Sequence, residues 1–233
     1  HTRVFPAIEI VSPRDPEAFI HIPISPKDVA ARNQIARLDA TLATLGLTVS
    51  TGRVVDFSAR EHIRQEPKHD TAPLIYPCHF DGLFVAWPKE NSRKPNAILN
   101  SDETQSLLIP AGVYVLTKRF TSKEERRRVV ACIYDPSRVQ AEHVGFENHL
   151  NYIHASGRGI DMALAKGLWA FLNSTALDIY FRQFNGHTQV NATDLCNVRF
   201  PSAKQLRGIG RHISEEFIEQ EELDQLVSRE SKK

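Results

Sequence analysis

The sequence predicts an α+β fold, in which a strand-rich middle lies between helical segments. Two changes of period carry this prediction. Apolar residues recur every three or four positions over residues 26–46 and again over 161–181, as on the buried face of a helix. Between these ranges the period is two, as in strands that bury one face. Because helices and strands do not alternate along the chain, a doubly wound parallel sheet is not expected.

The first helix has a clear start. Ser25 stands where an N-cap residue is expected, Pro26 takes the first helical position, and Asp28 places a carboxylate in the first turn. We expect this helix to continue to Gly46, because glycine often ends a helix. Residues 1–24, which are rich in proline and β-branched side chains, are expected to form short extended segments.

Strands follow in the middle of the chain. β-branched and aromatic residues with a period of two predict strands over residues 47–57, 73–77, 83–87, 113–120 and 126–134. A charged loop at 121–125 joins the last two as a hairpin. After the second helical range comes a polar run, "RQFNGHTQVNATDL" (182–195), which we interpret as a turn before a strand at 195–201. A final helix is expected over 213–228.

The net charge of +1 conceals an uneven distribution. Residues 214–224 carry six carboxylates and no lysine or arginine, a charge of −6, which leaves +7 for the rest of the chain. A basic body is compatible with a polyanionic partner, although a solvated acidic helix explains the same numbers. No apolar run reaches the roughly 18 residues of a membrane span, and the N-terminus lacks a signal-peptide pattern, so we expect a cytoplasmic protein.

Motifs of known catalytic and cofactor sites are absent from the sequence. It contains no P-loop, no glycine-rich dinucleotide turn after a strand, no G-x-S-x-G elbow and no H-E-x-x-H helix. Its three cysteines form no C-x-x-C pair, and His143, His149 and His154 match no metal-ligand spacing. We therefore predict neither a catalytic residue nor a metal site in this chain.

Basic and polar side chains on predicted loops are the positive signal. The hairpin range 118–128 holds six cations that could follow a phosphate backbone, although its own glutamates also explain a solvated hairpin. In the polar run, Arg182, His187 and Gln189 have donors and acceptors that suit base edges, but the same residue types build turns. Arg53 follows a glycine in a turn from which it could enter a groove.

Residues 171–201, "FLNSTALDIYFRQFNGHTQVNATDLCNVRFP", resemble the hallmark segment of target-recognition domains in bacterial restriction-modification systems. The same order of an "LNS" helix, a glycine–threonine turn, "DL" and a strand ending in proline is found in the C-terminal specificity domain of TaqI-like adenine-specific DNA methyltransferases. It resembles type I specificity subunits more loosely. Further segments are similar to the methyltransferases that accompany BsuBI/PstI-type restriction enzymes: 45–57, 73–80, 87–98, 114–136 and 144–154.

The resemblance implies a two-part enzyme. One domain would bind S-adenosylmethionine and methylate the exocyclic amino group of adenine with an Asn-Pro-Pro-Tyr/Phe motif, and the other would read the DNA sequence. This chain has neither that motif nor a glycine-rich cofactor motif, and it begins at His1, so we interpret it as the recognition part alone, without a cofactor. Its expected partners are double-stranded DNA, a covalently linked methyltransferase domain and, as a third candidate, a cognate restriction endonuclease.

On this interpretation the chain has three parts: extended segments and an amphipathic helix at 1–46, the DNA target-recognition domain at 47–212, and an acidic C-terminal helix and tail at 213–233. The candidates for phosphate contact are Lys118, Arg119, Lys123, Arg126, Arg127 and Arg158. The candidates for base or groove contact are Arg53, Arg182, His187 and Gln189. The residues expected to build the turn are Gly186, Asn191, Thr193 and Asp194.

Two other functions stay open at this point. The nuclease partner of such a system would need a P-D…[DE]-x-K metal-binding motif, which the sequence lacks. A protein-interaction module could instead use the apolar side of the acidic helix, formed by Phe217, Ile218, Leu223 and Leu226.

Overall fold

The helices and strands are taken from a computed structural model that describes residues 4–11, 20–121, 125–184, 189–215 and 218–232. The helices are α1 (Ala7–Ile10), α2 (Pro26–Ala36), α3 (Pro136–Val139), α4 (Met162–Leu172), α5 (Thr175–Phe184), α6 (Ala192–Cys196), α7 (Ala203–His212) and α8 (Gln220–Glu230). The strands are β1 (Thr48–Thr51), β2 (Ile63–Arg64), β3 (Thr71–Ile75), β4 (Phe80–Asp81), β5 (Phe84–Val85), β6 (Ala97–Leu99), β7 (Leu108–Pro110), β8 (Tyr114–Lys118), β9 (Ala131–Tyr134), β10 (His143–Phe146) and β11 (Leu150–His154).

These strands form two sheets within the described residues. Sheet A has the order β1-β11-β8-β9-β5-β4, and sheet B has the order β2-β6-β3-β10-β7. Neighbouring strands are antiparallel except for the pairs β5·β9 and β3·β10. The predicted hairpin is present, because β8 and β9 are antiparallel neighbours. The strands all lie between α2 and α4 and are interrupted only by the short helix α3, so the predicted α+β class is confirmed.

Sheet A lies between the helices and sheet B. Along β8 the side chains alternate: Val115 packs in a core that includes residues of α4, α5, α7 and α8, whereas Tyr114 and Leu116 pack in a second core with Phe146 of sheet B. The segment 54–62 supplies residues to a third core with sheet B. The central strand β8 is therefore covered on both faces, and it can present polar groups to a ligand only from its ends.

The first predicted helix starts as expected but ends early. Ser25 caps α2 as predicted, whereas the helix ends at Ala36 and not at Gly46. Ala40 pairs instead with the backbone of Phe200, with N–H to carbonyl distances of 3.2 and 2.8 Å in the two directions. The predicted end was wrong because this tertiary pairing removes the backbone of Ala40 from helical bonding.

The second helical range is divided in two. The break falls at Asn173 and Ser174, between α4 and α5. The Asn173 side-chain amide accepts from the N–H of Ala131 at 3.2 Å and donates to its carbonyl at 3.1 Å, so it pairs with β9 as a neighbouring strand would. Ser174 Oγ accepts from the N–H of Leu177 at 3.3 Å in the first turn of α5. The "LNS" segment therefore marks a break between two helices.

Four helices are found where the sequence analysis predicts extended segments, a strand or no element. α1 lies in the range 1–24 that was expected to be extended, and α3 follows β9 where no element was predicted. α6 ends at Cys196, and the rest of the strand expected at 195–201 is reduced to the bridge between Phe200 and Ala40. α7 follows Ser202, whose Oγ accepts from the N–H of Gln205 at 3.3 Å, while Gln205 Oε1 accepts from the N–H of Ser202 at 2.8 Å. This S-x-x-Q capping box is a sequence signal that predicts α7. The final helix, α8, begins later than predicted.

The acidic helix α8 packs its apolar side inward. Leu223 and Leu226 are buried in the same core as Val115 of sheet A and Ile35 of α2. That side of the helix is therefore not available to a protein partner. The core joins residues from each of the three predicted parts of the chain, whose boundaries stay predictions. Phe217 lies outside the described residues.

Two glycines allow α4 and α7 to cross at close range. A Cβ atom on Gly167 of α4 would lie 1.9 Å from the carbonyl oxygen of Leu206. A Cβ atom on Gly210 of α7 would lie 1.8 Å from the carbonyl oxygen of Ala163. Backbone atoms cannot move aside as a flexible side chain can, so only glycine fits at these two positions.

The buried imidazole of His79 makes stability depend on pH. Its Nδ1 accepts from the N–H of Tyr76 at 2.9 Å, so Nε2 donates to Asn96 Oδ1 at 3.0 Å and the ring is held neutral. Burial lowers the pKa of His79 below its ordinary 6.5, and the hydrogen bond to Asn96 opposes that shift. Near pH 6.5 the unfolded chain binds the proton and the folded chain does not. Stability that is present above that pH is therefore lost as the pH falls.

We expect His79 to lower the free energy of unfolding by at most about 1.4 kcal/mol per pH unit as the pH falls below its ordinary pKa of 6.5. Urea titrations at several pH values measure this slope. His79→Gln removes the titrating group, so the variant should show a shallower slope than the parent chain. Equal slopes in the two chains would contradict a neutral, buried His79.

Candidate nucleic-acid interface

Loops from three neighbouring strands of sheet A meet at one end of the sheet. The register pairs Leu150 with Lys118 and Asn151 with Thr51, so the end of β1, the start of β11 and the end of β8 lie side by side. The polar run reaches the same end, because the N–H of Val190 donates to the carbonyl of Arg119 at 2.7 Å. This end is therefore surrounded by residues 52–54, 119–121, 147–149 and 189–190.

A cation and two rings are grouped at this end. The Arg119 guanidinium donates to the carbonyl of Asn148 at 3.2 Å and lies 5.5 Å from the centre of the Phe120 ring. The Phe120 ring is 39% exposed and lies 4.9 Å from the imidazole of His149, centre to centre. Gln189 joins them through a β-bridge to Phe120. We call these five residues, Arg119, Phe120, Asn148, His149 and Gln189, the Arg119 surface.

A buried carboxylate orients His149. Glu147 is buried, and its carboxylate accepts from the backbone N–H of His149 at 2.9 Å and pairs with Nδ1 of the same residue. Because Nδ1 is held in this way, the other ring nitrogen, Nε2, is on the outer side of a half-exposed side chain. His149 can therefore offer a fixed polar group to a ligand. Neither His149 nor Phe120 is among the binding residues predicted from the sequence. His149 reaches Arg119 only through the strand register, and Phe120, which follows Arg119 in the chain, was assigned to a strand.

The three consecutive arginines of the hairpin have three different environments. Arg126 is exposed and Arg127 is partly buried; burial lowers the pKa of Arg127, and the charges of Asp178 and Asp224 oppose that shift. Arg128 is 1% exposed, and its guanidinium donates to the carbonyl and the hydroxyl of Thr121. The guanidinium of Arg128 therefore has a structural role, because it bonds Thr121 inside the fold. The strand β9 begins after these arginines, at Ala131 and not at residue 126 as predicted.

A groove of about 560 Å³ lies beside Arg126 and Arg127. Four carboxylates also line it, from Asp81, Glu125, Glu215 and Glu219. A phosphate backbone in this groove would be repelled by these acids as well as attracted by the arginines. The groove is therefore a poorer anion site than the Arg119 surface, although the two arginines were predicted as phosphate contacts.

The remaining base-contact candidates are anchored differently. Arg182 donates to Asp178 Oδ2 and to the carbonyl of Glu125, both at 2.9 Å, so its charge is already paired. Arg53 is exposed and reaches the carbonyls of Ser106 and Leu108 at 3.4 Å. Arg53 is thus exposed to solvent beside the end of sheet A that carries the Arg119 surface. Arg182 instead connects α5 to the hairpin.

Arg158 is separated from the Arg119 surface. It is exposed in the turn that follows β11, and its backbone pairs with Ala155. Lys118, in contrast, ends β8 opposite Leu150, the first residue of β11. The length of β11 therefore lies between Arg158 and Lys118, and the structure does not bring these two predicted phosphate contacts together.

The last part of the polar run begins a helix. The N–H of Asn191 donates to Asp194 Oδ2 at 2.8 Å, just before and within the first turn of α6, and Thr193 is exposed on that turn. Asn191 and Asp194 therefore have the predicted local structural role, but at a helix start instead of a turn into a strand. Lys123, Gly186 and His187 lie outside the described residues.

The described part of the chain contains no group of three or more His, Cys, Asp or Glu side chains that could hold a metal ion. His149 is engaged by Glu147, and His154 is bonded to Ser50 Oγ at 2.9 Å. None of its helices is long and apolar enough to cross a bilayer.

The fold is found in a solved restriction-modification protein. Over 89% of this chain it is similar to part of the type IIG restriction endonuclease BpuSI, with a TM-score of 0.57, and covers 32% of that protein. The sequences are 10% identical over this match, so the likeness shows the fold alone. No protein-family model matches the chain.

Two type II methyltransferases are close in sequence. The chain is 45% identical to M.PstI of Providencia stuartii over 224 residues, which are 96% of this chain and 44% of that protein. It is also 45% identical to M.BsuBI of Bacillus subtilis over 222 residues, again 44% of that protein. The chain is thus homologous to a part of the type II methyltransferases of restriction-modification systems and spans less than half of their length. The resemblance of the sequence to the methyltransferases that accompany BsuBI/PstI-type restriction enzymes is confirmed.

Proposed function

We propose that this chain reads double-stranded DNA for an adenine-specific methyltransferase of a type II restriction-modification system. The Arg119 surface is the observation that carries the proposal. It joins a guanidinium, two rings and a side-chain amide at one end of a rigid sheet, and these groups suit phosphates, base faces and base edges. The 45% identity to two type II methyltransferases supports the same assignment.

In this function the chain binds and orients DNA, and a separate catalytic domain transfers the methyl group. Arg119 and Lys118 would set the register of the duplex through its phosphates. Gln189 can pair with a base edge through its amide, and His149 can donate or accept through Nε2. The target adenine would have to leave the base stack, because its amino group is not accessible within the duplex. S-adenosylmethionine would bind to the catalytic domain and would supply the methyl group there.

The competing functions have less support. A protein-interaction module based on α8 would need Leu223 and Leu226 to be exposed, and both are buried. A nuclease would need metal-binding carboxylates, and the described residues hold no such group. A cognate restriction endonuclease remains a partner that we propose for the system as a whole, and a cytoplasmic location follows from access to DNA.

Arg119→Ala is expected to weaken binding to a mixed pool of duplexes about threefold to tenfold. It should also reduce the slope of log affinity against log salt by about 1, because one phosphate contact is lost. Fluorescence anisotropy between about 50 and 200 mM salt measures both quantities.

The matched control is Arg158→Ala, which removes an equal charge at the other end of sheet A and should leave affinity and slope close to those of the parent chain. Salt-insensitive binding, or no binding, by the parent chain would refute DNA recognition. Equal losses in the two variants would refute the Arg119 surface as the contact.

A further inference from the structure

An aromatic ring projects into solvent from the loop between β1 and β2. Phe57 is 91% exposed, although burying a phenyl ring is among the larger favourable contributions that a side chain can make to folding. Val55 of the same loop is 39% exposed. Neither residue has a role in the proposed function.

The loop that carries Phe57 is fixed from within. Val54 is fully buried; its N–H donates to the carbonyl of Phe146 at 3.0 Å and its carbonyl accepts from the N–H of Asn148 at 2.9 Å. Asp56 accepts from the hydroxyl of Tyr76 at 2.6 Å and from Lys94 Nζ at 2.7 Å. These hydrogen bonds fix Val54 and Asp56, which precede Phe57 in the chain.

The residues that follow Phe57 are also fixed by burial and hydrogen bonds. Ala59 is buried against sheet B, and its N–H donates to the carbonyl of Val55 at 2.9 Å. Residues 56–62 form a continuous run of turns. Phe57 is therefore presented by a structured loop, and its exposure is a property of the folded chain.

The loop adjoins the Arg119 surface and carries positive charge at both sides of the ring. The bond from Asn148 to Val54 connects them, because Asn148 also accepts from Arg119. Arg53 and Arg60, which precede and follow Phe57, are both exposed. The one exposed acid of this turn, Glu61, lies 3.6 Å from the imidazole of His62. A ring between two cations is complementary to a polyanion that carries stacked apolar bases.

We propose that Phe57 is a wedge that enters a base step of the bound duplex, an inference that rests on the proposed function. Apolar side chains that enter a step separate its base pairs and kink or unwind the helix. Arg53 and Arg60 would contact the phosphates on either side of the opened step. The Arg119 surface would hold the neighbouring part of the duplex. The wedge would thus begin the local unstacking that removal of an adenine from the stack requires.

The test uses closed circular plasmid DNA, which needs no knowledge of the target sequence. The plasmid is relaxed by a type I topoisomerase with the chain bound, and the linking number is read on a gel after the protein is removed. The parent chain should lower the linking number, because a wedge unwinds the helix. Phe57→Ala should bind about tenfold more weakly and, at a concentration that restores equal binding, leave the linking number unchanged.

Two further variants make the test specific. Phe57→Trp should keep the unwinding, and the new indole should be quenched and protected from acrylamide when DNA binds. The control Ile24→Ala removes an exposed apolar side chain from the N-cap region of α2 and should behave as the parent chain.

The outcomes separate this inference from the proposed function. No binding of plasmid by the parent chain would overturn both. Binding with the same linking number for the parent chain and Phe57→Ala would overturn the wedge and leave DNA recognition in place. Protection of the indole without unwinding would also overturn it, and would assign Phe57 to an outer groove contact. Self-association that Phe57→Ala abolishes, with unwinding unchanged, would assign the ring to a second copy of the chain and overturn the wedge.

Discussion

Gly167→Ala is expected to lower the free energy of unfolding by about 3 kcal/mol, the upper part of the range for overpacked sites. The added methyl group would lie 1.9 Å from the carbonyl oxygen of Leu206, so α4 and α7 must separate before both can fit. Their separation opens the core that contains Leu168 and Leu206. Urea unfolding followed by circular dichroism measures the loss.

Gly208→Ala is the matched control on α7. Its methyl group would approach only the end of the Glu230 side chain, at 3.3 Å, and alanine favours a helix over glycine by up to about 1 kcal/mol. We therefore expect its free energy of unfolding to stay within about 1 kcal/mol of the parent value. Equal losses in Gly167→Ala and Gly208→Ala would show that the close helix crossing does not limit stability.

Arg128→Met is expected to cost about 3 kcal/mol of stability. The substitution keeps much of the side-chain volume but removes the donors to Thr121, whose carbonyl would then be buried without this partner. It also removes a contact of 3.5 Å to the carbonyl of Gln189, so the end of the polar run would loosen. The midpoint and slope of a urea titration report the loss.

Arg126→Met tests whether this cost depends on burial. Arg126 is two residues earlier in the same hairpin and is exposed, so its substitution should change stability by less than about 0.5 kcal/mol. A similar loss for Arg126→Met and Arg128→Met would mean that the hairpin charge, and not the buried bonds of Arg128, supports the fold.

Local signals predicted the starts of α2 and α4 and the hairpin. Ser25 and Pro26 define the start of α2 through bonds within a few residues. The strand β8 was also found where expected, although a period of two implies one buried face and the structure covers both. The end of α2 could not be predicted in this way. It depends on Ala40 meeting Phe200, which is distant in sequence and adjacent only after folding.

The candidate site could be predicted only in part, because the exposure of its side chains also depends on contacts between residues that are distant in sequence. Arg126, Arg127 and Arg128 have the same side chain, and only the packing of the folded hairpin separates an exposed cation from a buried structural one. Phe57 and Phe120 look like ordinary strand residues in the sequence, since nothing in a short apolar pattern tells which ring stays in water. The region of the site was thus predictable, and its outermost side chains were not.

Under the proposed function, the buried amide of Asn151 has a consequence for how the DNA target can change. Asn151 accepts from Thr51 Oγ1 at 3.1 Å and donates to the carbonyl of Val190 at 2.8 Å, which fastens the residue next to Gln189 to the middle of sheet A. The backbone at Gln189 therefore has its position whatever side chain it carries. Under the proposed function, a descendant of this chain would acquire a new sequence preference by replacing outward-facing side chains one at a time, while the inherited scaffold continues to fold.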